Sequence, residues 1–122
     1  MRREDRGWVR VCSLGDLTPE RGRAALIGEE QIALFLLADG RVRATQNLDP
    51  YSGAQVLSRG IVGSSTFADG TETPTVISPL HKQAWDLVTG TVLRTQGGEE
   101  RGIRVYPVSL DGEDVLVKAG AR

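Results

Sequence analysis

Three Asp-Gly dipeptides, Asp39-Gly40, Asp69-Gly70 and Asp111-Gly112, divide the chain into apolar runs of strand length. Asp-Gly between such runs is the strongest short-range hairpin signal, because tight hairpin turns need positive φ and glycine adopts it without steric cost. With fifteen glycines recurring along 122 residues, short strands are favoured over long helices.

The runs themselves read as strands. Trp8-Val9-Arg10-Val11-Cys12 alternates large apolar with polar or small residues, as a half-buried strand does. Thr18 before Pro19 predicts a cap on one helical turn, kept short by Gly22. Residues 23–27 and 31–37 form two strands around Gly28-Glu29-Glu30, and the second is apolar almost throughout, which predicts cover on both faces. A two-residue type I′ turn at Asp39-Gly40 leads into residues 41–45, with Val42 and Ala44 on one face. Thr66-Phe67 pairs with residues 74–77, residues 84–87 with 91–93 across Thr89-Gly90, and residues 103–110 with 115–117. Pro107 cannot donate to a ladder, so its strand lies at an edge or is bulged there. Residues 47–63 and 78–82 show no period and read as loops. The fold class is therefore all-β: an antiparallel sandwich or partly open barrel of short strands with little helix, in one domain over residues 1–122. Residues 1–6 are expected to fray, and residues 96–101 to form a flexible, solvated tip.

Charge excludes several functions. Fifteen Lys and Arg against sixteen Asp and Glu give a net charge of −1, which supplies no basic surface for nucleic acid or an anionic membrane. The longest apolar run, residues 32–38, falls well short of the ~20 residues that span a bilayer. The charged start, Met1-Arg2-Arg3-Glu4-Asp5, is not that of a signal peptide. The single cysteine, Cys12, forms neither an internal disulfide nor a Cys-rich metal motif, and a reducing cytosolic location is the simplest reading. Gly97-Gly98 lacks the pattern of a phosphate loop.

Two loops carry the functional argument: Asn47-Leu48-Asp49-Pro50-Tyr51-Ser52-Gly53-Ala54 and Ser78-Pro79-Leu80-His81-Lys82-Gln83, the latter followed by Trp85-Asp86-Leu87-Val88-Thr89-Gly90. Together they resemble the Rieske domain family, whose loops read roughly C-P-H-x-G-A and C-P-x-H followed by F-D-x-x-T-G, and whose two Cys and two His hold a [2Fe–2S] cluster. Pro50, Gly53, Ala54, Pro79, His81, Asp86, Thr89 and Gly90 keep that frame. The resemblance puts Asp49 and Ser78 at the two Cys positions and Tyr51 at the first His position, so only His81 matches a ligand. Hard oxygen donors do not replace soft thiolates at such a site. The resemblance thus implies vestigial ligand positions Asp49, Tyr51, Ser78 and His81, and no metal or cofactor bound by this chain.

The phrases at residues 47–51, 56–63 and 78–83, occurring in that order, resemble the small subunit of NAD(P)H-dependent assimilatory nitrite reductase, over residues 8 to about 117. That resemblance implies a cytoplasmic, non-catalytic partner of a large subunit, which carries FAD, sirohaem and an iron–sulfur cluster and reduces nitrite to ammonium. It gives no catalytic residue in this chain. Family members more often have a residue other than His at position 81, so His81 is read as a loop hydrogen-bonder and not as a surviving ligand. The competing functions are a Rieske-type electron-transfer ferredoxin with unusual ligands and a free-standing β protein-binding module.

Each residue also has a plainer role. Asp49 and Ser78 would hydrogen-bond loop backbone and hold the loops closed without iron. A hydrolytic triad of Asp49, Ser78 and His81 needs geometry that residue identity does not supply. Tyr51 either packs over the vacated site with its hydroxyl satisfied or stands out as an anchor for a partner. Arg59, in an apolar loop, either edges the loop end or faces a partner, while Leu57, Ile61 or Val62 beside it is buried. Pro50, Pro79, Lys82 and Gln83 are expected to shape the loops or the interface. Trp8 and Trp85 belong to the core or its edge.

Overall fold

The computed structural model describes residues 7–80, 83–95 and 98–118, so the expectation that residues 1–6 fray lies outside it. The strands are β1 (Trp8–Ser13), β2 (Gly22–Ile27), β3 (Glu30–Leu36), β4 (Val42–Gln46), β5 (Ile61–Thr66), β6 (Glu72–Ile77), β7 (Ala84–Asp86), β8 (Val92–Arg94), β9 (Val105–Tyr106), β10 (Val108–Asp111) and β11 (Asp114–Lys118). They form three sheets, in the orders β1-β11-β10, β2-β3-β4-β9 and β5-β6-β7-β8, and every strand pair is antiparallel. Among the described residues the helical content is two single 3-10 turns, Leu14–Asp16 and Leu57–Arg59. The all-β, antiparallel class holds.

β3 is covered on both faces, as its unbroken apolar run predicts. Successive side chains of a strand point to opposite faces. Ile32 and Leu34 therefore enter one core, with Cys12, Val42, Ala44, Tyr106, Val115 and Val117. Ala33 and Phe35 enter a second, with Leu57, Val76, Trp85, Leu87 and Ile103. The middle sheet is thus packed against the first sheet on one side and the third on the other. Burying a Leu, Ile or Phe side chain contributes about 1.5–3 kcal/mol, and β3 places three of them in cores.

Three local expectations are corrected. The short helical turn is at Leu14–Asp16, where Asp16 accepts the Ser13 N–H, and not at Thr18-Pro19. Pro19 instead bridges Leu36, with Glu20 in the left-handed region at φ 66°. The turn at Asp39-Gly40 is not type I′, which requires positive φ at both central residues. Glu20 is the only non-glycine with positive φ among the described residues, so Asp39 does not qualify. The loop has three residues: Gly40 N–H donates to Leu37 C=O, Leu37 N–H donates to Arg41 C=O, and Gly40 takes φ 89°. The same geometry recurs at Ala68-Asp69-Gly70 between Phe67 and Thr71. Finally, residues 61–63 begin β5 instead of ending a loop, because Ile61, Val62 and Gly63 pair with Ile77, Val76 and Thr75.

Pro107 ends β9 and precedes β10, and the chain changes sheets there, from the edge of the second sheet to the edge of the first. The missing donor thus falls between two edge strands, as expected.

Candidate functional site

The two loops meet at a buried carboxylate and hydroxyl. Residues 47–60 leave β4 and fold back through a bridge between Leu48 and Gln55. Asn47 holds this loop: its side chain accepts the Ser58 N–H at 2.7 Å and donates to Gln55 C=O at 3.1 Å and to Gln31 Oε1 at 3.2 Å. At the tip, Asp49 C=O accepts the Gly53 N–H, and Asp49 Oδ1 accepts the Tyr51 N–H at 2.9 Å and the Ser52 N–H at 3.4 Å. In the second loop, the Ser78 N–H donates to Gln83 C=O at 2.8 Å. Across the gap, Ser78 Oγ donates to Asp49 Oδ2 at 2.6 Å and accepts the Leu80 N–H at 3.2 Å. Asp49 is 0% and Ser78 1% exposed. Asp49 and Ser78 thus hydrogen-bond loop backbone and, across the two loops, each other.

Tyr51 packs inward with its hydroxyl satisfied. Its ring lies 6.1 Å from that of buried Trp85, tilted by 37°. Its hydroxyl donates to Glu99 C=O at 2.7 Å and accepts the Arg101 N–H at 2.8 Å. Arg101 completes a latch: its guanidinium donates to Pro50 C=O at 2.9 Å and lies 5.7 Å from the Tyr51 ring, while its C=O accepts the Trp85 Nε1–H at 2.8 Å. Glu99 and Arg101, read from sequence as part of a solvated tip, are exposed but held, Glu99 through its C=O and Arg101 through its N–H, C=O and guanidinium. Gln96 and Gly97 lie outside the described residues.

The turn after the second loop is built around Asp86, whose Oδ1 accepts from Thr73 Oγ1, the Val88 N–H and, at 3.3 Å, the Thr89 N–H. Gly90 follows at φ 80°, packed so closely that a Cβ would lie 2.0 Å from Ile103 C=O. Asp86, Thr89 and Gly90 therefore shape the turn against which Ile103 packs.

The remaining expected residues fall in different places. Pro79 and Arg59 are exposed, Leu57 is fully buried and Val62 half-buried, and Ile61 is exposed. Gln83 is buried, with its Oε1 unpaired among the described residues. His81 and Lys82 lie outside the described residues. Sequence reasoning missed Asn47 and Arg101 as organisers, because Asn47 opens the first loop phrase without standing at a ligand position, Arg101 belongs to no motif, and both act on groups distant in sequence.

A [2Fe–2S] cluster of Rieske type needs two thiolates and two imidazoles. The residues present do not fit it. Asp49 and Ser78 bind each other, and the Tyr51 hydroxyl is committed to Glu99 and Arg101. Cys12 lies in the other core, and burial pushes its thiol upward, away from the thiolate a ligand must be. Among the described residues no group of three or more His, Cys, Asp or Glu side chains could hold a metal ion. A hydrolytic arrangement is equally unsupported, since the Ser78 proton goes to Asp49 and both groups are shut from solvent.

This fold and paired-loop geometry define the class: the family model described as the Rieske-like [2Fe–2S] domain matches residues 7–118, and the chain belongs to that family. Within it, the chain is similar to nitrite reductase subunits. It is 36% identical over 90 residues to the nitrite reductase (NADH) small subunit of Escherichia coli (strain K12), covering 73% of this chain and 79% of that one. It is 41% identical over 112 residues to the nitrite reductase [NAD(P)H] large subunit of Klebsiella oxytoca, covering 92% of this chain but 11% of that one. A Mycobacterium tuberculosis structure assigned to the NADH-dependent nitrite reductase small subunits superposes with a TM-score of 0.79 at 38% identity, covering 94% of this chain and 96% of that one. Among the described residues no helix is long and apolar enough to cross a membrane.

Proposed function

We propose that this chain is the cluster-free small subunit of an NAD(P)H-dependent nitrite reductase, working as one Rieske-like domain in the cytoplasm. It binds no redox group, and it supports a large subunit that carries FAD, sirohaem and an iron–sulfur cluster and reduces nitrite to ammonium. The observation that carries the cluster-free reading is the Asp49–Ser78 hydrogen bond at 2.6 Å, standing where the family resemblance places two thiolate ligands. The subunit reading is supported by the likeness to nitrite reductase small subunits along most of the chain.

Affinity purification of the tagged chain from its own cells grown on nitrate tests both parts. The expected result is a large chain with flavin and sirohaem absorption that co-purifies, and no iron in the tagged chain once separated. A chain that emerges alone would reduce the likeness to one of fold. Stoichiometric iron in the isolated chain would restore the ferredoxin reading.

A further inference from the structure

β5 pairs with β6 on one side only and is a free edge of its sheet. Natural edge strands are blunted by charges, proline or bulges, because their unpaired N–H and C=O groups template pairing with another chain. The other edge strands longer than two residues each carry a charge: Arg10 in β1, Arg23 in β2, Arg94 in β8 and Asp111 in β10. β5 reads Ile61-Val62-Gly63-Ser64-Ser65-Thr66, with no charge, no proline and an unbroken register against β6. Ile61 is 67% exposed.

The surroundings of this edge are open. A cleft of about 510 Å³ runs from Gly63 and Ser64 to Leu37, lined by charges of both signs: Arg41 and Arg43 beside Glu20, Asp39 and Glu72. At the other end of β5, Glu20, Arg21 and Arg59 line a second open cleft with Ile61.

Resting on the small-subunit reading above, we propose that the free edge of β5 docks an extended segment of the nitrite reductase large subunit, added to this sheet as a fifth strand. Main-chain hydrogen bonds supply affinity in such strand addition, and flanking side chains supply specificity. The Klebsiella oxytoca relative points to this occupant, because there the matching domain is part of the large-subunit chain itself. Ile61, 67% exposed at the start of the strand, offers that segment an apolar side-chain contact.

The test is retention of the large subunit of the same organism by tagged full-length chain. It compares wild type with Gly63→Lys, Ile61→Lys and the control Leu26→Lys, whose parent residue is 66% exposed on β2. Gly63 accepts a side chain, since a Cβ there meets only Thr75 Oγ1, at 3.7 Å. Thermal melts confirm that each variant folds. The expected result is a loss of about tenfold or more in affinity for the two β5 variants and little change for the control. Wild-type binding by both β5 variants would overturn the surface while leaving the subunit reading intact. A wild-type chain that retains no large subunit would overturn that reading, and the proposal with it. If Gly63→Lys instead dissolves a dimer of this chain and leaves retention unchanged, the occupant is a second copy and the proposal fails.

Discussion

Ser78 Oγ donates to the Asp49 carboxylate at 2.6 Å, inside the protein, and so ties together two loops whose residues are 29 positions apart. Removing one member of such a buried pair leaves the other with an unmet desolvation cost. Ser78→Ala is expected to destabilise the fold by about 1–3 kcal/mol and Asp49→Ala by somewhat more, since Asp49 also accepts two backbone N–H groups. Urea unfolding of both singles and the double gives the coupling energy. A coupling near zero would mean that the bond contributes nothing to loop closure.

Tyr51→Phe keeps the ring against Trp85 and removes the hydroxyl that bridges Glu99 C=O and the Arg101 N–H. A loss of about 1–2 kcal/mol is expected. Amide exchange at Arg101 should accelerate more than exchange in β3. Equal acceleration at both sites would show global weakening instead of release of the latch.

Gly90→Ala combines a strained φ of 80° with a Cβ 2.0 Å from Ile103 C=O. The expected cost is at least about 2 kcal/mol, read by urea midpoint. Gly70→Ala, at φ 89° but in open space, isolates the backbone component and should cost about 1 kcal/mol.

Burial, and then the hydrogen bond it donates to Glu30, push the Tyr106 phenol up to about 12 from 10.0. The folded state therefore favours the neutral phenol. Its contribution to stability is complete below pH 10.0 and is lost as pH rises through about 12. Absorbance titration should show one late-ionising tyrosine, and Tyr106→Phe should remove it. A late phenolate that persists in that variant would disprove the assignment.

Restoring the family's ligand types tests the misfit directly. Asp49→Cys/Tyr51→His/Ser78→Cys, with native His81, supplies two thiolates and two imidazoles. After anaerobic reconstitution with iron and sulfide, this variant should take up iron with a Rieske-type spectrum, and the parent chain should take up none. Iron uptake by the parent would contradict the reading of Asp49 and Ser78.

Much of the fold was legible along the chain because it follows from local chemistry. The apolar run at positions 32–38 fixed β3 as a strand buried on both faces, and Pro107 marked a sheet edge. Turn types were less legible, since Asp39-Gly40 serves a two- or a three-residue loop equally well and the hydrogen bond from Leu37 to Arg41 decides. The first 3-10 turn was also misplaced, because Pro19 was drawn into a bridge with Leu36.

The all-β class, the two loop frames and the lack of thiol donors in both loops follow from residue identity and short-range pattern. The meeting of Asp49 with Ser78, the inward turn of Tyr51 to Arg101 and the unprotected edge at β5 emerge at the level of packing. Each of these depends on which distant segments share a surface. That is set by burial of the two cores on either side of β3, and no local window of sequence encodes it.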